Sequence, residues 1–333
     1  MGCIQFSHAY KDIICIENLL EAWKEFLKGK RNKSGVKEFS RFFAHNVLKL
    51  HDDLKLRRYT HGGYHAFKIN DPKPRDIHKA TVRDRLLHHA IYRQLYPFFD
   101  RTFIADSYSC RKEKGTHKAM NRFRAFAYKV SKNNTKTCWV LKCDIRKFFA
   151  SIDHGVLKAI LIEYIPDRDI LVLLSNIIDS FHSVPGKGLP LGNLTSQLLV
   201  NVYMNEFDQF AKHRLKAKQY IRYADDFVFL SDDRAWLESL LPRIREFLHE
   251  RLCLDLHPKK VSIGTVAAGI DFLGWVHFSD HRVLRTVARR RMLRRIKDTI
   301  RKEETVQSYL GLLSHGNTRR LRGIIAEWIT QNG

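Results

Sequence analysis

Residues 222–227 read Arg222-Tyr223-Ala224-Asp225-Asp226-Phe227, and this stretch decides the fold. Apolar, β-prone runs flank the two acids, over 219–223 before them and 227–230 after. Such runs around a tight turn predict a hairpin. Asp suits the turn because its side chain bonds nearby backbone. The expected hairpin lifts Asp225 and Asp226 to an exposed tip. Two carboxylates forced together repel and hold protons unless a cation sits between them. Mg²⁺ is the natural cation, since it takes oxygen ligands and shares them with phosphates. Taken alone, an Asp-Asp pair is more often a solvated surface turn, so the rest of the chain decides.

The chain has 333 residues, enough for two or three packed units. Lys and Arg number 59 against 35 Asp and Glu, a formal charge of +24. That excess calls for a polyanionic partner, most simply nucleic acid. Cysteines at 3, 15, 110, 138, 143 and 253 form no CxxC pair and no metal-ligand spacing. They read as the reduced thiols of a cytosolic protein. No apolar run approaches the ~18–20 residues that cross a membrane, and no signal-peptide core opens the chain. The expectation is a cytoplasmic protein without a membrane partner.

Read in order, 16–27 and 36–56 predict helices with basic polar faces, joined by a basic break. Residues 59–77 predict strand, turn, strand, with Lys73 and Arg75 projecting from them. A helix is expected over 81–99 with Arg83 and Arg85 at its start, then a charged loop over 106–115 and a helix over 117–130. The apolar run 137–143 predicts a buried central strand ending at Asp144. Asp153 reads as the cap of the helix after it. Glycines and prolines over 185–197 lead into a helix over 195–215, where small residues allow a ligand close to the backbone. A helix over 236–251, an apolar turn over 272–275 and a strongly basic helical end from Arg282, carrying Arg290 and Arg294, complete the chain.

Five segments in this order resemble the reverse transcriptases: Cys143-Asp-Ile-Arg-Lys-Phe-Phe-Ala-Ser-Ile-Asp153, Leu189-Pro-Leu-Gly-Asn-Leu-Thr-Ser-Gln197, Tyr223-Ala-Asp-Asp226, His257-Pro-Lys-Lys260 and Phe272-Leu-Gly-Trp275. Lys73-Pro-Arg75 and Val82-Arg-Asp-Arg85 look like the fingers of the bacterial, group II intron-like branch. Leu191 stands where most reverse transcriptases carry Gln, and Ser196-Gln197 where they carry Ser-Pro. That variant resembles the enzymes of diversity-generating retroelements, as do Ser107-Tyr-Ser-Cys-Arg111 and His315-Gly-Asn-Thr318.

The resemblance implies an α+β right-hand polymerase, with an antiparallel palm sheet packed on helices and a small helical thumb. It places an N-terminal helical extension at 1–57, fingers at 58–138, palm at 139–275 (with part of the fingers at about 155–187) and a basic thumb at 276–333. Asp144, the Ile145 carbonyl, Asp225 and Asp226 would hold two Mg²⁺ ions, with Mn²⁺ as a substitute. Lys260 would protonate the leaving pyrophosphate. Lys73, Arg75, Leu191, Gly192, Asn193 and Gln197 would bind the dNTP, and Phe149 would gate against a ribose 2′-OH. Arg83, Arg85, Arg111, Tyr223, Arg290 and Arg294 would hold template and primer. The implied partners are an RNA template, a DNA or RNA primer, dNTPs and a small basic accessory protein. The implied function is error-prone copying of a template-repeat RNA, mutated mainly at adenines, to diversify a gene in a bacterial or phage-encoded system. The rivals are a group II intron-derived or antiphage reverse transcriptase and a non-catalytic RNA-binding protein on the same fold.

Overall fold

The computed structural model describes residues 4–70, 74–298 and 303–332. The chain divides into two compact units, each assembled from three stretches. The first comprises 1–105, 145–216 and 243–256, the second 106–144, 217–242 and 257–333.

The first unit is mostly helical. Helix Ile16–Phe26 turns Leu19, Ala22, Trp23 and Phe26 inward. The buried Asn18 amide donates to the carbonyls of Ile13 and Ala90, at 2.7 and 3.1 Å, which ties this helix to Val82–Thr102. The single helix expected over 36–56 is two, Ser34–Arg41 and Phe43–Lys55. The chain leaves the helical well at Phe42, with φ −117° and ψ 36°. The side-chain amide of Asn46 bonds the Phe39 carbonyl at 3.0 Å, which meets part of the cost of the break. An antiparallel hairpin follows, β1 (Tyr64–Ile69) with β2 (Arg75–Ala80). Thr81 then caps the next helix by accepting the Asp84 amide at 3.2 Å. Asp153 likewise caps His154–Tyr164, accepting from Val156 at 3.1 Å.

The second unit is built on a four-stranded antiparallel sheet of β3 (Trp139–Asp144), β4 (Tyr220–Tyr223), β5 (Asp226–Ser231) and β6 (Ser262–Thr265), in the order β4-β5-β3-β6. The apolar run that predicted a buried strand is β3, an interior strand covered on both faces. Strand alternation puts Val140 beside Val228, Leu230 and Ile221 on one face. These pack against Ala119, Phe123, Phe126 and Ala127 of helix Thr116–Val130. Each large apolar side chain buried there contributes roughly 1.5–3 kcal/mol over leaving it in water.

The C-terminal stretch departs from expectation. Phe272–Trp275 closes a strand pair rather than standing alone, and 282–284 is strand, not helix. Strands β7 (Ile270–Phe272), β8 (Trp275–His277) and β9 (Arg282–Leu284) form a second antiparallel sheet. Three-residue strands are too short to show a period of two in the sequence. Leu273 and Gly274 both take positive φ, 53° and 84°, between paired Phe272 and Trp275. That is the primed turn whose twist matches a hairpin. The basic helix begins at Thr286 and buries Met292 and Ile296. Gly316 is fixed by packing, because a Cβ there would stand 2.1 Å from a ring carbon of Trp275. No helix among the described residues is long and apolar enough to cross a membrane.

Candidate active site

Strand register brings two of the predicted acids together. Asp144, the last residue of β3, is the direct cross-strand partner of Asp226, the first of β5. Tyr223 pairs with Asp226, so Ala224 and Asp225 form a two-residue turn. This corrects the exposed tip: Asp226 is in the ladder, Asp225 and Asp226 are half-buried, and Asp144 is only 6% exposed. The hairpin does not protrude because β3 extends as far as its last strand pair.

Like charges directly opposite destabilise a sheet. Burial pushes the Asp226 carboxyl up to about 6; Lys142 opposes the shift, while Asp225 and Asp144 add to it. Such a pair is an oxygen donor set suited to a hard divalent cation, which would remove the repulsion. Among the described residues no three His, Cys, Asp or Glu side chains already form a cation cage. The local positive charge comes instead from lysines. Lys260 Nζ donates to both carboxylate oxygens of Asp144, at 2.8 and 2.9 Å. The Lys260 turn is held there because the His257 amide donates to the Asp144 carbonyl at 2.7 Å and the Lys260 amide to the His257 carbonyl at 3.1 Å.

Lys142 was not singled out from the sequence. Two residues before Asp144, it shares that residue's face of β3. Its Nζ donates to the Asp271 carbonyl on β7 at 2.6 Å. The i, i+2 spacing was the signal available for finding it.

The first unit gathers a separate group. The loop around Gly192 runs beside β2: the His78 backbone amide donates to the Leu191 carbonyl at 3.1 Å, and the Asn193 side-chain Nδ2 donates to the His78 carbonyl at 2.9 Å. Gly192 has φ +107°, and a Cβ would lie 2.8 Å from Ile77 Cγ2. Only glycine allows this approach. Asn193 is 2% exposed, and its Oδ1 is buried without a hydrogen-bond partner. Gln197 stands half-buried in the first turn of helix Leu194–Gln209. Of the expected aromatic pair, Phe148 is buried at 4% and Phe149 half-buried, with edge-on rings 5.6 Å apart. Leu189 donates its amide to the Phe149 carbonyl at 2.8 Å. Ile145 is buried and pairs with Leu256. Arg75 is exposed on β2, and Lys73 lies outside the described residues.

The remaining cations differ among themselves. Arg83 is held internally by Asp53 at 2.8 Å and lies over the Tyr59 ring. Arg85 lies over Phe26, 4.9 Å from the ring centroid. Arg111 donates to the Ser107 carbonyl at 3.0 Å. Tyr223 takes a hydrogen bond from Thr116 at 3.1 Å. Arg290 and Arg294 are exposed one turn apart on helix Thr286–Asp298.

Residues 68–277, well over half of the chain, match the family described as reverse transcriptase (RNA-dependent DNA polymerase). The chain belongs to the reverse transcriptase family. Reverse transcriptases generally use divalent metal ions, as the carboxylate pair anticipates. Among curated proteins the chain is similar to protein YkfC of Escherichia coli (strain K12), 27% identical over 255 residues, covering 65% of each. It is also similar to the group II intron-encoded protein LtrA of Lactococcus lactis, 22% identical over 280 residues, which cover 62% of this chain and 45% of LtrA. The chain thus spans about half to two thirds of these relatives' length. A telomerase from Candida albicans, solved in complex with a fragment of telomeric RNA, shares the fold with a TM-score of 0.51. The match is 11% identical and covers 70% of this chain and 48% of that one. The fold is the right-hand polymerase, here with mixed helices and antiparallel sheets.

The burial of Asp226, reinforced by its carboxylate neighbours, predicts a pH dependence. The Asp226 carboxyl is raised from 3.8 to about 6, so the folded state binds more protons than the unfolded state between those values. Without divalent cation, stability falls as pH rises through that window and then levels. Asp226→Asn is expected to raise the melting temperature at pH 8, by about 2–4 °C per kcal/mol relieved, and to leave it unchanged at pH 3.5. Melts in EDTA check this; an Asn variant less stable than wild type at pH 8 would contradict it.

Proposed function

We propose that this chain is an RNA-directed DNA polymerase that copies a template-repeat RNA into cDNA with errors mainly at adenines, for targeted diversification of a gene. The observation that carries the polymerase reading is the facing pair Asp144 and Asp226, with Asp225 in the adjoining turn, in a chain of the reverse transcriptase family. The retroelement reading is supported by Leu191-Gly-Asn-Leu-Thr-Ser-Gln197. A leucine at 191 offers the nucleotide site no hydrogen-bonding side chain at that position.

Each residue has an assigned task. Asp144, Asp225, Asp226 and the Ile145 carbonyl present oxygens to two Mg²⁺ ions, which Mn²⁺ can replace. Held there, divalent ions would supply charge stabilisation to the attacking primer 3′ oxygen and to the leaving oxygen of an in-line displacement. Lys73 and Arg75 neutralise the triphosphate, and Lys260 delivers a proton to the departing pyrophosphate. Gly192 and Asn193 offer close backbone and a buried amide oxygen to the nucleotide, with Gln197 beside them in sequence. Arg85, Arg111, Tyr223, Arg290 and Arg294 hold template and primer, largely through backbone phosphates. Arg83, already paired with Asp53, contributes by fixing the helix that carries Arg85. We assign 1–57 to an N-terminal extension, 58–138 to fingers, 139–275 to palm and 276–333 to thumb. An RNA template, a primer, dNTPs and a small basic accessory protein are the proposed partners, and the cytoplasm the proposed location.

A second reading, a group II intron-derived reverse transcriptase, is favoured by the similarity to LtrA. Primer extension on RNA with Mg²⁺ and dNTPs, followed by product sequencing, separates the two. Errors clustered opposite template adenines are expected, with Leu191→Gln reducing them; accurate products would favour the intron-derived reading. Asp225→Ala/Asp226→Ala is expected to lower synthesis about 100-fold or more. Equal synthesis by the double variant would refute the polymerase assignment.

The half-buried ring of Phe149 predicts steric selection of the sugar. Phe149→Val is expected to raise ribonucleotide incorporation about tenfold or more, a relief of ~1.4 kcal/mol in the barrier. Single-nucleotide addition with rNTP and dNTP measures it; an unchanged preference would end the gate assignment.

A further inference from the structure

We infer that Arg222 is a positioning residue for the catalytic acids, bracing the Ala224-Asp225 turn from beneath against the segment Asp106–Tyr108. The inference rests on the polymerase reading above. Arg222 lies one residue before the Tyr223–Asp226 motif and is 0% exposed, one of the largest fully buried side chains among the described residues. It pairs with Phe227, so strand alternation sets it on the face of the hairpin opposite Asp226. Burying a guanidinium is costly unless its donors are satisfied. Two of its bonds show what it is used for. One terminal nitrogen donates to the Ala224 carbonyl at 3.3 Å, the other to Ser107 Oγ at 3.1 Å.

The turn needs such support. Ala224 has φ +56°, while Asp225 is not among the residues with positive φ. A two-residue hairpin turn with positive φ at its first central position favours glycine. An L residue held there is strained and persists only where its surroundings over-determine it. The direction of Asp225, the other residue of the turn, depends on that dihedral, and Asp226 enters the ladder directly after it.

The anchor for the brace is itself fixed. Strand β4 is an edge of the sheet, and Asp106–Tyr108 covers it. Arg222 donates its amide to the Asp106 carbonyl and accepts from the Tyr108 amide, both at 3.0 Å. The Asp106 carboxylate takes the Arg122 Nε–H at 2.7 Å from helix Thr116–Val130. Thr116, at the start of that helix, bonds the Tyr223 hydroxyl at 3.1 Å. The turn is therefore gripped through Arg222 from below and through Tyr223 at its side. This gives the start of the charged loop over 106–115 a task distinct from the one assigned to Arg111.

The test uses the full chain and four variants: Ser107→Ala, Arg222→Lys, Ala224→Gly, and Arg222→Lys combined with Ala224→Gly. Lysine keeps the charge but replaces the planar two-armed fork with a single nitrogen. Two readouts are taken: the rate of single-nucleotide addition at saturating primer–template, and hydrogen exchange of the peptide spanning 220–231. Ser107→Ala is expected to slow addition about five- to fiftyfold and to speed exchange in the turn, with primer–template affinity unchanged and the melting temperature lowered, since a buried guanidinium donor loses its acceptor. Ala224→Gly is expected to restore part of the rate lost in Arg222→Lys, because glycine no longer needs to be held. A merely structural arginine gives no such rescue. Unchanged rate and exchange in Ser107→Ala, or a double variant no faster than Arg222→Lys, would overturn the brace. A wild type that adds no nucleotide to any primer would instead sink the polymerase reading, while exchange in Ser107→Ala would still decide the brace.

Discussion

Asp144 faces Asp226 across two hydrogen-bonded strands, and much of the second unit follows from making that position tolerable. Beyond Lys142, the sheet face that carries the pair is apolar and packed on helix Thr116–Val130, so neither strand can slide without exposing Val140 or Val228. Register is thereby pinned by the hydrophobic face, and the acids inherit the pinning. Lysines arrive from two other directions: Lys260 on a turn tied to the Asp144 carbonyl, and Lys142 from within β3. The site spends stability on closeness of charge, and a divalent cation is the natural recipient of that closeness.

In the first unit the close approach is of backbone to backbone rather than of charge to charge. The loop at Leu191–Asn193 lies on β2 through reciprocal bonds with His78, and the contact is so tight that only glycine fits at 192. The buried Asn193 oxygen is the one polar atom of this loop recorded without a partner among the described residues. The lead-in to the loop is also tied to the turn that carries Phe149, through the bond from the Leu189 amide to the Phe149 carbonyl.

Much of this was legible in the sequence because it depends on local pattern. The apolar run before Asp144 reads as an interior strand, and the β-prone runs around Asp225-Asp226 read as a hairpin. The caps at Thr81 and Asp153 follow from residue type. What escaped depends on partners distant in sequence. The burial of Asp226 requires knowing that β3 lies beside it; the Lys260–Asp144 pair joins residues 116 apart. The break at Phe42 answers to Asn46, and the sheet over 270–284 is made of strands too short to show a period. Arg83 looked like its neighbour Arg85 in sequence, yet Asp53 claims it. The 11% identity with a telomerase of the same fold makes the same point: pattern and register persist where residue identity does not.

The central claim is that Asp144 and Asp226 together form a divalent-cation site. Titration of the full chain with Mn²⁺, followed by electron paramagnetic resonance of the free ion, tests it without reference to activity. Wild type is expected to bind Mn²⁺ at least about tenfold more tightly than either Asp144→Asn or Asp226→Asn, a difference of ~1.4 kcal/mol or more, and Mg²⁺ is expected to compete. Equal Mn²⁺ binding by wild type and both variants would contradict the account.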